Sequence, residues 1–391
     1  MKILITSPDA IIDNETNSFF DGIENALDHF CSLYKGNEVV VISLNSDKLD
    51  NIPDKYTSVL LSGAYRKYRG SPKLIDAIAE QTNIEHKDML VLGAKNHDLY
   101  FASNSKLILL AAHYAASNNP ECDIFTKGYG IGIFSPERLR VFMDTYMSVE
   151  DPWFFKLNVS DRTTMYGLTD ANTFYQNNYK VVDICNKLKE FLKNGAEENR
   201  SPFYIYSLMS IHRIQKEIGK IDYWGYYPSS DVGENEELNM LKEIMRKSIS
   251  SCRTTDNVLL RAVDSNKRRN LTAEARANDG CNSQFDSIIV NPRYRNKIQN
   301  KTICIIDDFT NHGSSCETTR HLLEHLGAAR VIFIALGKYR FDYKRYHYTI
   351  DGNLFQLGYN YQKHGTYETV RGEQNNNSSK ELLTALKEVL C

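Results

Sequence analysis

The segment TICIIDDFTNHGSSCE, residues 302–317, indicates how the C-terminal half of this chain folds. Its short apolar run predicts a buried strand, Thr302–Ile306, that presents Asp307 and Asp308 at its carboxyl end, where α/β folds place their sites. Two carboxylates held this close repel each other and raise one another's pKa. We therefore expect the pair to accept hydrogen bonds from vicinal hydroxyl groups or to lie beside a cation. The alternative is an ordinary strand-to-helix turn that happens to be acidic.

A polar turn, Thr310–Ser315, follows the acid pair. Gly313 can adopt a positive φ there, which would align successive backbone N–H groups into a cradle for an anion. Ser314 and Glu317 have the spacing of a capping box, which predicts a helix over Cys316–Leu326 with its positive end facing the turn. Together the strand, the acid pair, the turn and the helix end predict a sugar-phosphate site.

This segment resembles the phosphoribosyl pyrophosphate motif of the phosphoribosyltransferases. The resemblance implies that Asp307 and Asp308 are the catalytic pair that binds the ribose hydroxyls, and that the 5′-phosphate is wrapped by Thr310, Asn311, His312, Gly313, Ser314 and Ser315. Asn311-His312 stands where the family has two threonines. The resemblance further implies displacement of pyrophosphate from the anomeric carbon, with Mg²⁺ held mainly by substrate and water oxygens near the acid pair.

A second loop that resembles part of the phosphoribosyltransferase site lies upstream. A predicted strand, Ile221–Tyr226, ends in Tyr227, Pro228, Ser229 and Ser230, which look like the family's pyrophosphate loop. Backbone N–H groups and serine hydroxyls there could hold the leaving group. Proline is equally common in turns without any such role, so an ordinary turn is the alternative.

A basic segment separates the two loops. Leu259-Leu260-Arg261, followed by Lys267, Arg268, Arg269 and Arg276, is similar to the competence-associated phosphoribosyltransferases, where a mobile loop closes over the substrate. Closure would bring cations onto the pyrophosphate and exclude water. The alternative is a solvated basic loop. The resemblance to phosphoribosyltransferases covers about residues 200–340.

The N-terminal half alternates short apolar runs with helical segments, which predicts a parallel sheet. It resembles the haloacid dehalogenase-like hydrolases, with Ser7 at the position of the nucleophilic aspartate. The other matches to that family's site are Asp9, Ser43, Lys73 and Asp98, while Ala94 replaces an acidic metal ligand. Losing anionic ligands weakens Mg²⁺ binding, so we predict a catalytically inactive domain. The alternative, Ser7 as nucleophile, needs a nearby base that the sequence does not identify.

Length and composition favour an α/β protein of two domains, each a parallel-rich sheet flanked by helices. The predicted boundaries are 1–117 for the dehalogenase-like domain, 118–175 for an aromatic connecting region, and 176–391 for the phosphoribosyltransferase-like domain. A net charge of −2 gives no general attraction to nucleic acid or membranes. Scattered cysteines indicate reduced thiols and a cytoplasmic protein, and no apolar stretch approaches the ~18 residues of a membrane helix.

Further elements are predicted in the C-terminal half from hydrophobic periodicity. They are a helix over Tyr179–Lys193, a last helix after Ser379, and strands at Phe203–Leu208, Val258–Ala262, Ser287–Asn291 and Val331–Leu336. After the last strand, residues 338–348 interleave aromatic and basic side chains, which could stack an acceptor base or contact nucleic acid. A half-buried strand with solvated lysines is the alternative.

Two functions follow from these motifs. The first is a Mg²⁺-dependent phosphoribosyltransferase that uses phosphoribosyl pyrophosphate and a nucleobase, nucleotide or nucleic-acid-related acceptor. The second keeps the site without the turnover: a regulator or effector subunit that binds phosphoribosyl pyrophosphate or a nucleotide, within a nucleic-acid-linked or defence complex and with a protein or nucleic-acid partner. Asn311-His312 favours the regulator, and the intact acid pair favours the enzyme.

Overall fold

The computed structural model describes residues 1–148, 153–172, 186–187, 189–190, 200–249, 256–265, 272, 275 and 278–375. Within them the chain forms two α/β domains, each built on a six-stranded sheet with helices, which confirms the predicted fold class. None of the helices in the described ranges combines the length and apolar character needed to cross a membrane.

The strands, in chain order, are β1 Ile3–Thr6, β2 Ile12–Asp13, β3 Ser18–Phe19, β4 Glu38–Ser43, β5 Thr57–Leu60, β6 Met89–Gly93, β7 Ile108–Ala112, β8 Ile131–Ile133, β9 Phe155–Asn158, β10 Thr163–Asp170, β11 Tyr223–Tyr226, β12 Leu259–Arg261, β13 Ile288–Val290, β14 Thr302–Thr310, β15 Arg330–Lys338, β16 Tyr343–Asp351, β17 Asn360–Val370 and β18 Glu373–Gln374. The described α-helices are α1 Pro8–Ile11, α2 Ile23–Leu33, α3 Pro72–Thr82, α4 Asn96–Ser105, α5 Asp123–Thr126, α6 Pro136–Ser148, α7 Arg200–Ile218, α8 Glu236–Ile249, α9 Asn282–Phe285 and α10 Ser314–His325. Short 3-10 turns cover Gly63–Tyr68, His86–Asp88, His113–Asn118 and Pro292–Tyr294.

The first sheet has the strand order β5-β4-β1-β6-β7-β8, and every pairing in it is parallel. Its central strands β1, β6 and β7 are buried along their whole length, as expected where helices cover both faces of a parallel sheet. The carboxyl ends of these strands therefore lie along one edge, where Ser7, Ser43 and the segment after Gly93 emerge.

The second sheet has the strand order β11-β14-β15-β10-β9-β18. Strands β11, β14, β15 and β10 are parallel, whereas β9 and β18 extend the sheet in antiparallel pairings. The core beneath it contains Phe333 and Tyr343 and extends to the separate hairpin β16–β17. The apolar residues of β14 before the acid pair are completely buried, so the strand is fixed in register up to that pair.

The described chain divides into two compact units. One contains residues 1–148 and 211–216, and the other contains the remaining described residues. The aromatic region predicted to connect two domains, 118–175, supplies β8 and α6 to the first unit and β9 and β10 to the second sheet.

Two local predictions were wrong. The segment Phe203–Leu208, expected to be a strand, lies inside helix α7. Its apolar residues continue at helical spacing to Ile218, and a short apolar run alone cannot separate a strand from a buried helix. The predicted capping box is also absent. Helix α10 begins at Ser314, directly after Gly313, and no side chain caps its N-terminus. Glu317 instead accepts hydrogen bonds from Tyr343 and Tyr346. The predicted helices at 179–193 and after Ser379 fall outside the described residues or almost entirely so.

Candidate functional site

Neighbouring parallel strands bring two of the predicted loops together. In the register of β11 and β14, Tyr226 pairs with Ile306, and the Tyr227 amide donates to the Ile306 carbonyl at 2.7 Å. The loop that follows β11 therefore begins directly beside Asp307. Such crevices at the carboxyl ends of parallel strands are the usual ligand sites of α/β sheets.

A cavity of about 400 Å³ lies between these loops. Its lining includes seven of the residues predicted for the site: Tyr227, Pro228, Ser229, Ser230, Asp307, Asp308 and Ser315. It is completed by Asn235, Leu238, Arg261, Ser265, Gln284 and Phe309. The volume is sufficient for a small organic ligand, and polar groups converge on it from three loops.

Asp307 is held in an unfavourable state for a carboxylate. It is 5% exposed, and its Oδ1 accepts a hydrogen bond from the Asp308 amide at 2.9 Å. Its Oδ2 is buried and has no hydrogen-bond partner among the described residues. Burial, and then the neighbouring charge of Asp308, raise the pKa of Asp307 well above its ordinary value. The neighbouring Ser315 side chain acts in the opposite direction and lowers this pKa.

The acid pair can supply some, but not all, of the ligands of the predicted Mg²⁺. The unsatisfied Oδ2 of Asp307 and the half-buried carboxylate of Asp308 are hard oxygen ligands of the type that Mg²⁺ prefers. The described residues contain no group of three His, Cys, Asp or Glu side chains that could enclose a metal. An ion here would thus depend on substrate and water oxygens for most of its ligands.

Gly313 has the positive φ that the sequence predicted, at +87°. A Cβ at this position would overlap the Tyr343 ring, since the nearest ring carbon would be 2.0 Å away. Only glycine therefore permits both the backbone conformation and the close approach. Helix α10 starts at the next residue, so its unpaired first-turn N–H groups are presented beside Ser315 and the cavity.

Five residues of the predicted turn do not line the cavity: Thr310, Asn311, His312, Gly313 and Ser314. Thr310 continues β14 and pairs with Lys338, whose Nζ donates to the Asn311 carbonyl at 2.8 Å. The His312 ring contacts the Asp342 carbonyl through Nδ1 at 3.0 Å and lies 5.0 Å from the Phe341 ring. The imidazole is thus engaged with the loop before β16.

Glu317 anchors the same helix to the hairpin. It is completely buried, and its carboxylate accepts from the Tyr343 hydroxyl at 2.7 Å and the Tyr346 amide at 2.8 Å. Although burial opposes ionisation, hydrogen bonds from His321 and Arg320 lower the pKa of Glu317 to about 2. The helix that begins at the phosphate turn is therefore rigidly held.

Comparisons with known proteins add no identification. No family model matches this chain, and no curated protein is similar to it.

Sequence reasoning did not assign a role to Arg261 or recognise Gln284. Arg261 ends β12, is 6% exposed and lines the cavity behind Ser229. A charged residue at the end of an otherwise apolar strand was a sign that Arg261 has a specific role. The residues that it contacts, Ser229 and Gln284, are distant in sequence and could not be inferred. The basic residues assigned to the mobile loop, Lys267, Arg268, Arg269 and Arg276, lie outside the described residues.

In the first unit, Ser7 and Asp98 meet at the edge of the parallel sheet. The Ser7 hydroxyl donates to Asp98 Oδ2 at 2.8 Å, and the same oxygen accepts from the Ala94 and Lys95 amides at 3.0 and 3.1 Å. The guanidinium of Arg69 bonds to the other oxygen. Both oxygens of Asp98 are therefore occupied by donors, and the Ser7 hydroxyl is one of four groups that contact this carboxylate.

The other residues predicted for this site, Asp9, Ser43 and Lys73, do not contact Ser7 or Asp98 through the hydrogen bonds described here but have partners of their own. Asp9 Oδ1 accepts from Lys48 and Lys95 at 2.7 and 2.8 Å, and although burial opposes ionisation these hydrogen bonds lower its pKa. The Ser43 hydroxyl donates to the Asn45 carbonyl at 2.8 Å. Lys73 is exposed on α3, with its ammonium 5.8 Å from the Tyr68 ring, and Arg69 supplies the cation at Asp98 instead.

Proposed function

We propose that the second unit is a phosphoribosyltransferase that uses phosphoribosyl pyrophosphate with Mg²⁺ and releases pyrophosphate. The observation that supports this most is the cavity lined by the Tyr227–Ser230 loop, by Asp307 and Asp308, and by Ser315 at a helix N-terminus. Residues from three predicted segments line this cavity, with Ser315 as the one member of the predicted phosphate turn among them. The unsatisfied Oδ2 of Asp307 is the kind of acceptor that a ribose hydroxyl needs.

In the proposed reaction the bond between the anomeric carbon and pyrophosphate breaks, and its electron pair leaves with the pyrophosphate. A lone pair of the acceptor forms the new bond to carbon, through an oxocarbenium-like state. Asp307 and Asp308 would hold the ribose hydroxyls, and the first N–H groups of α10 would bind the 5′-phosphate. The hydroxyls of Ser229 and Ser230 would hold the departing group. Bound Mg²⁺ would neutralise charge on the pyrophosphate oxygens.

The direct test measures pyrophosphate release from phosphoribosyl pyrophosphate and Mg²⁺ against a panel of nucleobases and nucleotides. We expect release with at least one acceptor and its loss in the Asp307→Asn/Asp308→Asn chain. Asp351→Asn, an exposed acid at the end of β16, is the matched control and should retain activity. Equal activity in the acid-pair variant and the unaltered chain would refute the proposed role of the pair.

A second candidate is a regulator that binds phosphoribosyl pyrophosphate or a nucleotide without turnover. It is favoured by the first unit, where Asp98 and Asp9 are saturated by Arg69, Lys48 and Lys95. A unit with this saturated edge could serve as a scaffold or partner surface in a larger complex. Binding of phosphoribosyl pyrophosphate with no release across the acceptor panel would select this candidate.

We also propose a cytoplasmic location. The described cysteines, Cys31, Cys122, Cys281, Cys304 and Cys316, are free thiols, as expected in a reducing compartment.

A further inference from the structure

Arg261 braces the loop that follows β11. Its Nε donates to the Ser229 carbonyl at 2.7 Å, and Nη2 reaches the Pro228 carbonyl at 3.4 Å. The peptide bonds of this loop are trans, so the N–H of each peptide points away from its carbonyl. The amides of Ser229 and Ser230 consequently point away from the guanidinium, in a loop that lines the cavity.

The charge of Arg261 is buried, and no ion pair to it is formed by the residues that the structure describes. Its guanidinium also donates to the Ser287 hydroxyl at 2.5 Å and to Gln284 Oε1 at 3.1 Å, both neutral acceptors. Among the described residues no carboxylate forms an ion pair with it, and Asp231 and Asp307 favour the cation only from a distance. Burial lowers the pKa of Arg261, because desolvation disfavours the cation. A buried guanidinium without a contacting carboxylate, beside a cavity, attracts an anion.

Gln284 is a neutral partner of this charge where a carboxylate would fit. Its Oε1 accepts from both Arg261 and the Tyr227 hydroxyl, the latter at 2.8 Å, and the side chain is 6% exposed. A glutamate would have the same shape and would accept the same two bonds, but it would neutralise the guanidinium. The amide therefore fixes the geometry of Arg261 and Tyr227 while preserving the positive charge.

We propose that Arg261 and Gln284 are positioning residues of a diphosphate subsite, which selects a polyanionic leaving group over a monophosphate. This inference rests on the proposed function and specifies the leaving-group end of that site. Arg261 fixes the Tyr227–Ser230 loop by donating hydrogen bonds to the Pro228 and Ser229 carbonyls, and its positive charge attracts the diphosphate at longer range. The ribose and 5′-phosphate end, at Asp307 and the start of α10, does not depend on it.

The test uses the full chain and two probes, Mg²⁺-pyrophosphate and ribose 5-phosphate, titrated by calorimetry. We expect Gln284→Glu to weaken pyrophosphate binding by roughly tenfold or more while changing ribose 5-phosphate binding little. Gln356→Glu, at an exposed position of the same unit, makes the same change in net charge and should affect neither probe. In the enzyme assay the KM for phosphoribosyl pyrophosphate should rise.

A second pair of variants covers the case in which Gln284→Glu does not fold. Arg261→Lys keeps the charge and should lose less pyrophosphate affinity than Arg261→Gln; equal losses in the two would overturn the inference. A Gln284→Glu chain that folds and loses both probes equally, or neither, would also overturn it. If the unaltered chain binds neither probe, the proposed function itself fails, and the two failures are thereby distinguished.

Discussion

Replacing Asp307 by asparagine should stabilise the second unit at neutral pH. The carboxylate is 5% exposed, its Oδ2 has no partner among the described residues, and its pKa is raised by burial and by Asp308. A buried acceptor without a partner costs about 1–3 kcal/mol, and an ionised one costs more. Asparagine removes the charge while keeping the shape. A polar atom remains at the position of Oδ2, so the gain comes from the lost charge alone, and the free energy of unfolding should rise by about 1.4 kcal/mol for each pH unit by which the pKa of Asp307 is raised.

The pH dependence follows from the direction of the pKa shift. A carboxyl group whose pKa is higher in the folded state than in the unfolded state stabilises the fold in its protonated form. Its contribution to the free energy of unfolding is complete below the ordinary pKa of 3.8. That contribution is lost as the pH rises through the folded-state pKa of Asp307. Asparagine does not titrate, so the advantage of the variant should be small near pH 4 and should grow as the pH rises, reaching a plateau above the raised pKa.

Fluorescence can follow the second unit separately. The chain has two tryptophans, Trp153 and Trp224, and both belong to that unit. Urea unfolding monitored by tryptophan emission at several pH values gives the difference in free energy directly. For a domain of this size each kcal/mol should shift the melting temperature by about 2–4 °C.

A matched control is Asp170→Asn at the end of β10. Asp170 is also buried, but Arg340 donates to its Oδ2 from two nitrogens at 2.7 and 2.9 Å. The same substitution should there destabilise the unit, because it breaks a charged pair. Our account of the acid pair is refuted if Asp307→Asn destabilises the unit as Asp170→Asn does, or if its effect is the same at pH 4 and pH 8.

Two further predictions concern other parts of the chain. Gly313→Ala should destabilise the second unit by about 1–3 kcal/mol and abolish phosphoribosyl pyrophosphate binding, since the new methyl group meets Tyr343 at a positive φ; a folded variant with unchanged affinity in calorimetry would contradict this. Asp98→Asn should destabilise the first unit by about 3–5 kcal/mol, because Arg69 loses its buried partner. Amide hydrogen exchange of β1 and β6 would measure the loss, and unchanged protection would show that the ion pair contributes nothing.

Much of the second unit could be predicted because its strands and turns follow from residues that are adjacent in sequence. The apolar run before Asp307 is a strand, and the glycine at 313 adopts the positive φ that the turn requires. The strand nevertheless continues to Thr310, because pairing with Lys338 extends it beyond its apolar residues. Such an extension depends on a neighbouring strand and cannot be inferred from local hydrophobicity.

The partners of charged residues were harder to predict. Arg261 meets Gln284 and the loop at Ser229 only because strands and loops far apart in sequence converge on one cavity. At the first unit's edge, Lys73 and Arg69 are four residues apart, and the difference between an exposed helix start and a buried turn decides which one reaches Asp98.

The contacts of Glu317 limit how far the chain could be shortened. Two of its hydrogen-bond donors, Tyr343 and Tyr346, belong to β16, a strand outside the main sheet. A version of the protein that stopped after β15 would keep every residue of the cavity. It would also remove two of the donors to Glu317 and uncover this acid group in the first turn of the helix that starts at Ser314. The smallest useful fragment of this unit must therefore extend through the hairpin.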